Sequence, residues 1–236
     1  MICVVRWQRV AFVLVLVLLC QLCVAVYLMF GADAEEKRST SAIGYTVVVD
    51  AGHGGVDGGV VAVDGTKESE LNLAYANQLG QTLERSGFHV VYTRKTSAGL
   101  YGIATQGFKR RDMLARKKIV EACSPNLVIS VHMNKYVGQK SRKGPQVFYQ
   151  KGKQQDKKFA DCLQKVFNDF TSNEHSALAG DYFMCREVSC LSVIVECGFL
   201  SNAEETALLK TTEYRTQLCN EILRGILYYL SEEKLA

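Results

Sequence analysis

The chain has 236 residues, 48% hydrophobic and 22% charged, which suits one globular domain of roughly 200 residues with an appendage. Its net charge is only +4, and Arg6 and Arg9 supply two of those charges. A balance of +2 on the remainder argues against a nucleic-acid partner. The runs "KRR" (109–111) and "KSRK" (140–143) read as solvated faces.

The appendage comes first. Residues 10–30, "VAFVLVLVLLCQLCVAVYLMF", carry no charge, and at 1.5 Å per residue they would span roughly 30 Å, the thickness of a bilayer core. Arg6 and Arg9 precede this run and no acidic residue occurs before Asp33, so the positive-inside rule keeps the N-terminus in the cytoplasm and exports the rest. Ala32-Asp33-Ala34 has the small-x-small look of a cleavage site. The run is longer than the roughly 7–15 residues of a signal core, which favours an anchor. The expected organisation is a cytoplasmic stub with a membrane anchor or uncleaved signal (1–31), a short polar tether (32–44) and a catalytic domain (45–236). Membrane-anchored or secreted, the domain works outside the cytoplasm.

From residue 46 strands and helices alternate. "TVVVD" (46–50) is a strand, and 68–85 is a helix with Leu71, Ala74, Leu79 and Leu83 on one face. "FHVVYTR" (88–94) is the second strand, 109–122 a helix, "NLVISVH" (126–132) the third strand and "QVFYQ" (146–150) the fourth. A helix over 154–172 leads to the strand "LSVIVEC" (191–197) and to helical stretches near 203–210 and 213–231. Apolar, non-alternating strands between helices define an α/β fold: a single domain with a largely parallel twisted sheet flanked by helices, plus one N-terminal membrane-spanning helix. Of the nine cysteines, Cys123, Cys162, Cys185, Cys190, Cys197 and Cys219 lie beyond the apolar segment. Most sit in apolar runs and read as buried thiols. Outside that segment there is no Cys-x-x-Cys pair that would hold zinc.

Ligands in open α/β sheets gather at the carboxyl ends of the strands. His53 follows the first strand in "VVVDAGHGG", His132 ends the third, Glu196 ends the last, and Glu68 opens the first helix near the same edge. Singly, each has a plain explanation: a hydrogen-bonded strand-end histidine, or a carboxylate favoured by the helix dipole. Glu196 is harder to explain away, because burying a carboxylate inside "VIVEC" costs several kcal/mol unless it is paired or functional. Two imidazoles and a carboxylate with one open position form the ligand set of a hydrolytic Zn2+ centre, which lowers the pKa of a water to about 7. A separate carboxylate must then move the proton, and Glu196 fits that role.

At these residues the sequence resembles the zinc-dependent N-acetylmuramoyl-L-alanine amidases with an α/β catalytic domain. The resemblance runs from about Tyr45 to Leu230 and rests on four motifs in order: "VVVDAGHGG", "KESELNLAYANQL", "VISVHMN" and "VIVECGFLSNAEE". It implies that His53, Glu68 and His132 hold one zinc and that Glu196 is the catalytic carboxylate. Glu70 is a rival to Glu68, which is preferred because the family's glutamate lies four residues before the Asn-Leu pair, here Asn72-Leu73. Gly58 in "HGGVDGG", "RRDMLAR", "GPQVFYQ" and the single apolar segment resemble the spore-cortex, germination-related branch, whose members help form muramic δ-lactam. Val120 and Glu121 stand where the family often has Ala-Asn, and no proline occurs in "MCREVSCL" (184–191).

The expected activity is hydrolysis of the amide between the lactyl group of N-acetylmuramic acid and L-alanine in peptidoglycan. Two readings from other classes stay open: a zinc peptidase cutting within the stem peptide, and a non-catalytic wall-binding protein.

Overall fold

The computed structural model of the protein describes residues 14–19, 21 and 44–235. The chain divides into two units, Met1–Ile43 and Gly44–Ala236. In the first, residues 14–19 and 21 are helical; most of the expected span 10–30 and all of the tether up to residue 43 lie outside the described residues. Among the described residues, no helix is long and apolar enough to cross a membrane.

The second unit is an α/β domain built in the order β1 (Thr46–Ala51), α1 (Glu68–Arg85), β2 (His89–Tyr92), α2 (Phe108–Cys123), β3 (Leu127–Asn134), β4 (Gln146–Gln150), α3 (Gln154–Thr171), β5 (Leu178–Gly180), α4 (Phe183–Glu187), β6 (Leu191–Phe199), α5 (Ala203–Leu209) and α6 (Thr212–Leu235). Its six strands form one sheet in the order β2-β1-β3-β6-β4-β5. All neighbours pair in parallel except β4 with β6, which are antiparallel.

The valine run of β1 is buried on both faces because helices cover both sides of the sheet. Val48 and Val128 meet Val120 of α2 with Met184 and Val188. Their neighbours Val47, Val49, Ile129 and Val131 are equally buried and, by strand alternation, face the opposite side. There α1, α3 and α6 pack together; the Tyr75 hydroxyl of α1 donates to the Leu209 carbonyl at 3.0 Å, and Gly225 of α6 lets Leu163 of α3 approach closely. The cysteines beyond residue 44 are free thiols, with Cys185, Cys197 and Cys219 buried in this core.

The expected elements from 46 to 85 match the observed ones, and later boundaries shift by a few residues. The second strand is the shorter His89–Tyr92, while the last runs two residues further, to Phe199. Two elements were not anticipated, the three-residue β5 and the five-residue α4. Their consequence for the site is a wall of side chains beside Glu196.

Candidate metal centre

β1, β3 and β6 lie side by side, so their carboxyl ends bring His53, His132 and Glu196 to one edge. Gly52 continues the ladder by donating its N–H to the Val131 carbonyl at 3.0 Å. A Cβ on Gly52 would clash with the His132 ring at Cε1, so the glycine is what lets the ring lie against the end of β1. His53 follows with φ of 59°, a left-handed conformation that costs a residue with a Cβ.

Two buried arginines hold that turn. Arg116 of α2 donates to the carbonyls of Ala51 at 2.6 Å and His53 at 2.5 Å, and it pairs with Asp50 and Asp112, both at 2.6 Å. Arg94 donates to Ala51 at 2.9 Å, Gly52 at 2.8 Å and Ser69 at 2.9 Å. Burial would raise the pKa of Asp50, but Arg116, with hydrogen bonds from Ser130 and Thr93, outweighs it and brings Asp50 down to about 2. Asp50 is therefore a fixed anion that anchors a fixed cation.

Glu68, 3% exposed, opens α1, where the helix dipole favours a negative charge. Its Oε2 accepts from the Val60 N–H at 2.8 Å, and its Oε1 from Asn72 Nδ2 at 3.2 Å and the Met133 N–H at 3.3 Å. The same Oε1 lies 2.9 Å from His132 Nδ1 and 3.2 Å from His53 Nε2. Glu70, the rival in the sequence, is exposed on the other side of the helix start. The two rings meet edge to face with centroids 5.1 Å apart.

Burial works against charging His53, but the Glu68 and Asp57 carboxylates outweigh it and push its pKa up to about 9. Glu68 is driven below the usual carboxylate range, because His132 and His53 overcome its burial. The pocket between these groups thus favours positive charge. One donor atom from each of His53, Glu68 and His132 lies within 4.8 Å of the others, a grouping that could hold a metal ion.

Glu196 stands directly across the β3–β6 ladder from His132. Its Oε2 is sealed from solvent and has no hydrogen-bond partner among the described residues. Burial, reinforced by the nearby Glu68 charge and opposed by His132 and His53, pushes its pKa up to about 7. That value suits a group that must both take and give a proton near neutrality.

A cleft of about 270 Å³ opens onto these residues, walled by Tyr101, Phe108 and Met113 on one side and Tyr182 and Phe183 on the other. A larger cavity of about 590 Å³ lies at the amino-terminal edge of the strands, near Tyr45, Phe88, Asn126 and Leu191, and none of the four site residues lines it. The smaller cleft is the one that belongs to the chemistry.

All four site residues named from the sequence therefore come together. The sequence did not point to Asp57, whose Oδ2 lies 3.0 Å from His53 Nδ1, or to Arg94, and it used Asn72 only as the landmark that places Glu68. Asp57 carried a signal, since a carboxylate four residues after a turn histidine can fold back onto it; Arg94 acts on carbonyls distant in sequence and carried none.

A mostly parallel sheet whose strand ends converge two histidines, a buried glutamate and a second carboxylate has the layout of a hydrolase site, three of whose residues could hold a metal ion. Within that class, residues 47–228 match the N-acetylmuramoyl-L-alanine amidase family, and the chain belongs to it. It is 31% identical over 215 residues to the germination-specific N-acetylmuramoyl-L-alanine amidase of Bacillus subtilis, covering 88% of this chain and 89% of that protein. The solved structure of the CwlD amidase of Clostridioides difficile, in complex with the GerS lipoprotein, aligns with a TM-score of 0.75 and 34% identity over 79% of this chain and 98% of that one. The catalytic domain of CwlV, an N-acetylmuramoyl-L-alanine amidase of Bacillus (Paenibacillus) polymyxa, gives a TM-score of 0.68 and 29% identity over 79% and 98%.

Proposed function

We propose that this amidase is zinc-dependent, holding the ion with His53, Glu68 and His132, and that it acts on peptidoglycan of the spore cortex. The observation that carries the metal assignment is the convergence of those three donors within 4.8 Å beside a sealed, unpartnered Glu196 oxygen. Two imidazoles and one carboxylate suit Zn2+ and leave a coordination position for substrate or water. The spore-cortex reading is supported by the resemblance to a germination-specific relative over most of both chains.

When bound, zinc would supply Lewis-acid polarisation of the scissile carbonyl and acidify the attacking water. The chain's own residues do the rest. Glu196 accepts the proton of the attacking water and returns it to the alanine nitrogen as the amide bond breaks, so one carboxylate serves both halves of the reaction. The aromatic walls of the cleft exclude water and orient the substrate across Glu196. Arg94 and Arg116 keep the His53 turn in place throughout.

The N-terminal run supports a tethered enzyme: residues 1–31 as stub and anchor, 32–44 as tether and 45–236 as the working domain outside the cytoplasm. The uncharged span and the paired arginines before it carry this part of the proposal.

The test is elemental analysis of the purified protein together with mass analysis of digested peptidoglycan. Expected are about one zinc per chain and whole stem peptides released with a free L-alanine amine. A zinc content near zero in active protein would remove the metal mechanism; cleavage within the stem would favour a peptidase.

A further inference from the structure

β3 and β6 pair without slippage from Leu127 with Leu191 up to His132 with Glu196, and then the register shifts. Asn134 pairs with Phe199, so β6 spends one residue more than its partner over this stretch. Such a bulge re-aims the side chains beside it, and this one begins directly after Glu196. The shift leaves the Phe199 N–H without a partner in the ladder, since the next bond runs from the Leu200 N–H to the Asn134 carbonyl at 2.7 Å.

Glu205, in the first turn of α5 and 5% exposed, supplies the missing acceptor. Its Oε2 accepts from the Phe199 N–H at 2.8 Å, and its Oε1 from the Gly144 N–H at 2.5 Å at the end of the β3–β4 loop. Gly198, inside the bulge, makes room: a Cβ there would stand 2.8 Å from Glu205 Oε1. The Asn202 side chain caps α5 by accepting from the Glu205 N–H at 3.1 Å, which fixes where the carboxylate projects. Burial raises the Glu205 pKa to about 6 against the pull of these two N–H groups. An ionised carboxylate is thus kept in a costly place where two backbone donors, 55 positions apart in sequence, both need an acceptor. A glutamine would offer one acceptor and one donor, leaving one of the two N–H groups facing another N–H.

We propose that Glu205 is a positioning residue for the hydrolysis: by clamping the bulge at Gly198–Phe199 to the β3–β4 loop, it fixes the direction of Glu196 toward the metal centre. This rests on Glu196 as the proton-transfer group. Glu205 itself touches neither substrate nor metal ligands.

The experiment uses the full chain and purified peptidoglycan fragments. Glu205→Gln should lower kcat about 10- to 100-fold with KM within about twofold, while zinc content and cooperative unfolding are retained. In a Glu196→Gln background the same substitution should cost no further rate, because the group it positions is already disabled. Gly198→Ala, which keeps the carboxylate but displaces it, should show the same kcat-only loss, and it decides the matter if Glu205→Gln does not fold. An unchanged kcat in the folded variant, a loss that tracks loss of zinc, or an equal further loss in the Glu196→Gln background would overturn the proposal. If Glu196→Gln itself stays active, the assignment of Glu196 is what fails.

Discussion

His53 presents one ring nitrogen to Glu68 and the other to Asp57: Nε2 lies 3.2 Å from Glu68 Oε1, and Nδ1 lies 3.0 Å from Asp57 Oδ2. For Nε2 to serve as a metal donor the ring must keep its one proton on Nδ1, where the Asp57 carboxylate can hold it. A carboxylate behind a metal-binding histidine both orients the ring and raises its basicity. Asp57→Ala is expected to weaken zinc binding about 10- to 100-fold while the fold survives. Competition against a chelator of known affinity measures this, and an unchanged affinity would mean that Asp57 serves only its ion pair with Lys109, whose Nζ lies 3.3 Å from its Oδ1.

Removing the donors themselves should be more severe. His53→Ala, Glu68→Ala and His132→Ala are each expected to lose zinc and activity together. Glu70→Ala should keep both, because Glu70 is exposed while Glu68 is buried against both rings. Zinc content by elemental analysis beside turnover on peptidoglycan separates the two glutamates.

Glu196→Gln should divide catalysis from binding. Loss of the proton carrier is expected to cost 10²–10⁴ in rate with zinc retained. The same change carries a pH signature in stability. The folded-state pKa near 7 lies above the ordinary 4.5, so burial favours the protonated acid, and this contribution is present below pH 4.5 and lost as pH rises through 7. In metal-free protein, Glu196→Gln should therefore be more stable than the parent at pH 8, by at most about 3 kcal/mol, and nearly equal to it at pH 4. Thermal unfolding at the two pH values reads this directly, and a gain confined to pH 4 would reverse the sign.

Arg116→Met should destabilise the domain by about 3–5 kcal/mol, because it leaves Asp50 and Asp112 as unpaired buried anions and releases the His53 carbonyl. Denaturant unfolding checks the size of the effect. A loss under 1 kcal/mol would show that the carboxylates find other partners or protonate.

The four central residues are legible in the sequence because each sits at an element end that apolar periodicity locates: Glu68 opens a helix of clear 3.6-residue pattern, and His53, His132 and Glu196 close runs of β-branched residues. The largely parallel character of the sheet then follows from the alternation of strands and helices, while the strand order and the antiparallel β4 do not. What stays hidden has two physical causes. β5 and α4 span too few residues for any period to register, so the Tyr182 and Phe183 wall of the cleft could not be placed. Arg94 and Glu205 bind backbone carbonyls or N–H groups, which look identical at every residue, so nothing in the letters of their partners announces the contact. Glu205 shows this best: it lies within the motif "VIVECGFLSNAEE", yet its partners are the main chain of Gly144 and Phe199.

The guanidinium groups of Arg94 and Arg116 lie inside the domain and grip the carbonyls of Ala51, Gly52 and His53. Every one of those bonds is made by protein alone. The shape of the turn that carries His53 is therefore set by side chains just past β2 and in α2, far from it in sequence. A substitution at either arginine would be felt at the His53 ring through the main chain, with every donor residue left unchanged.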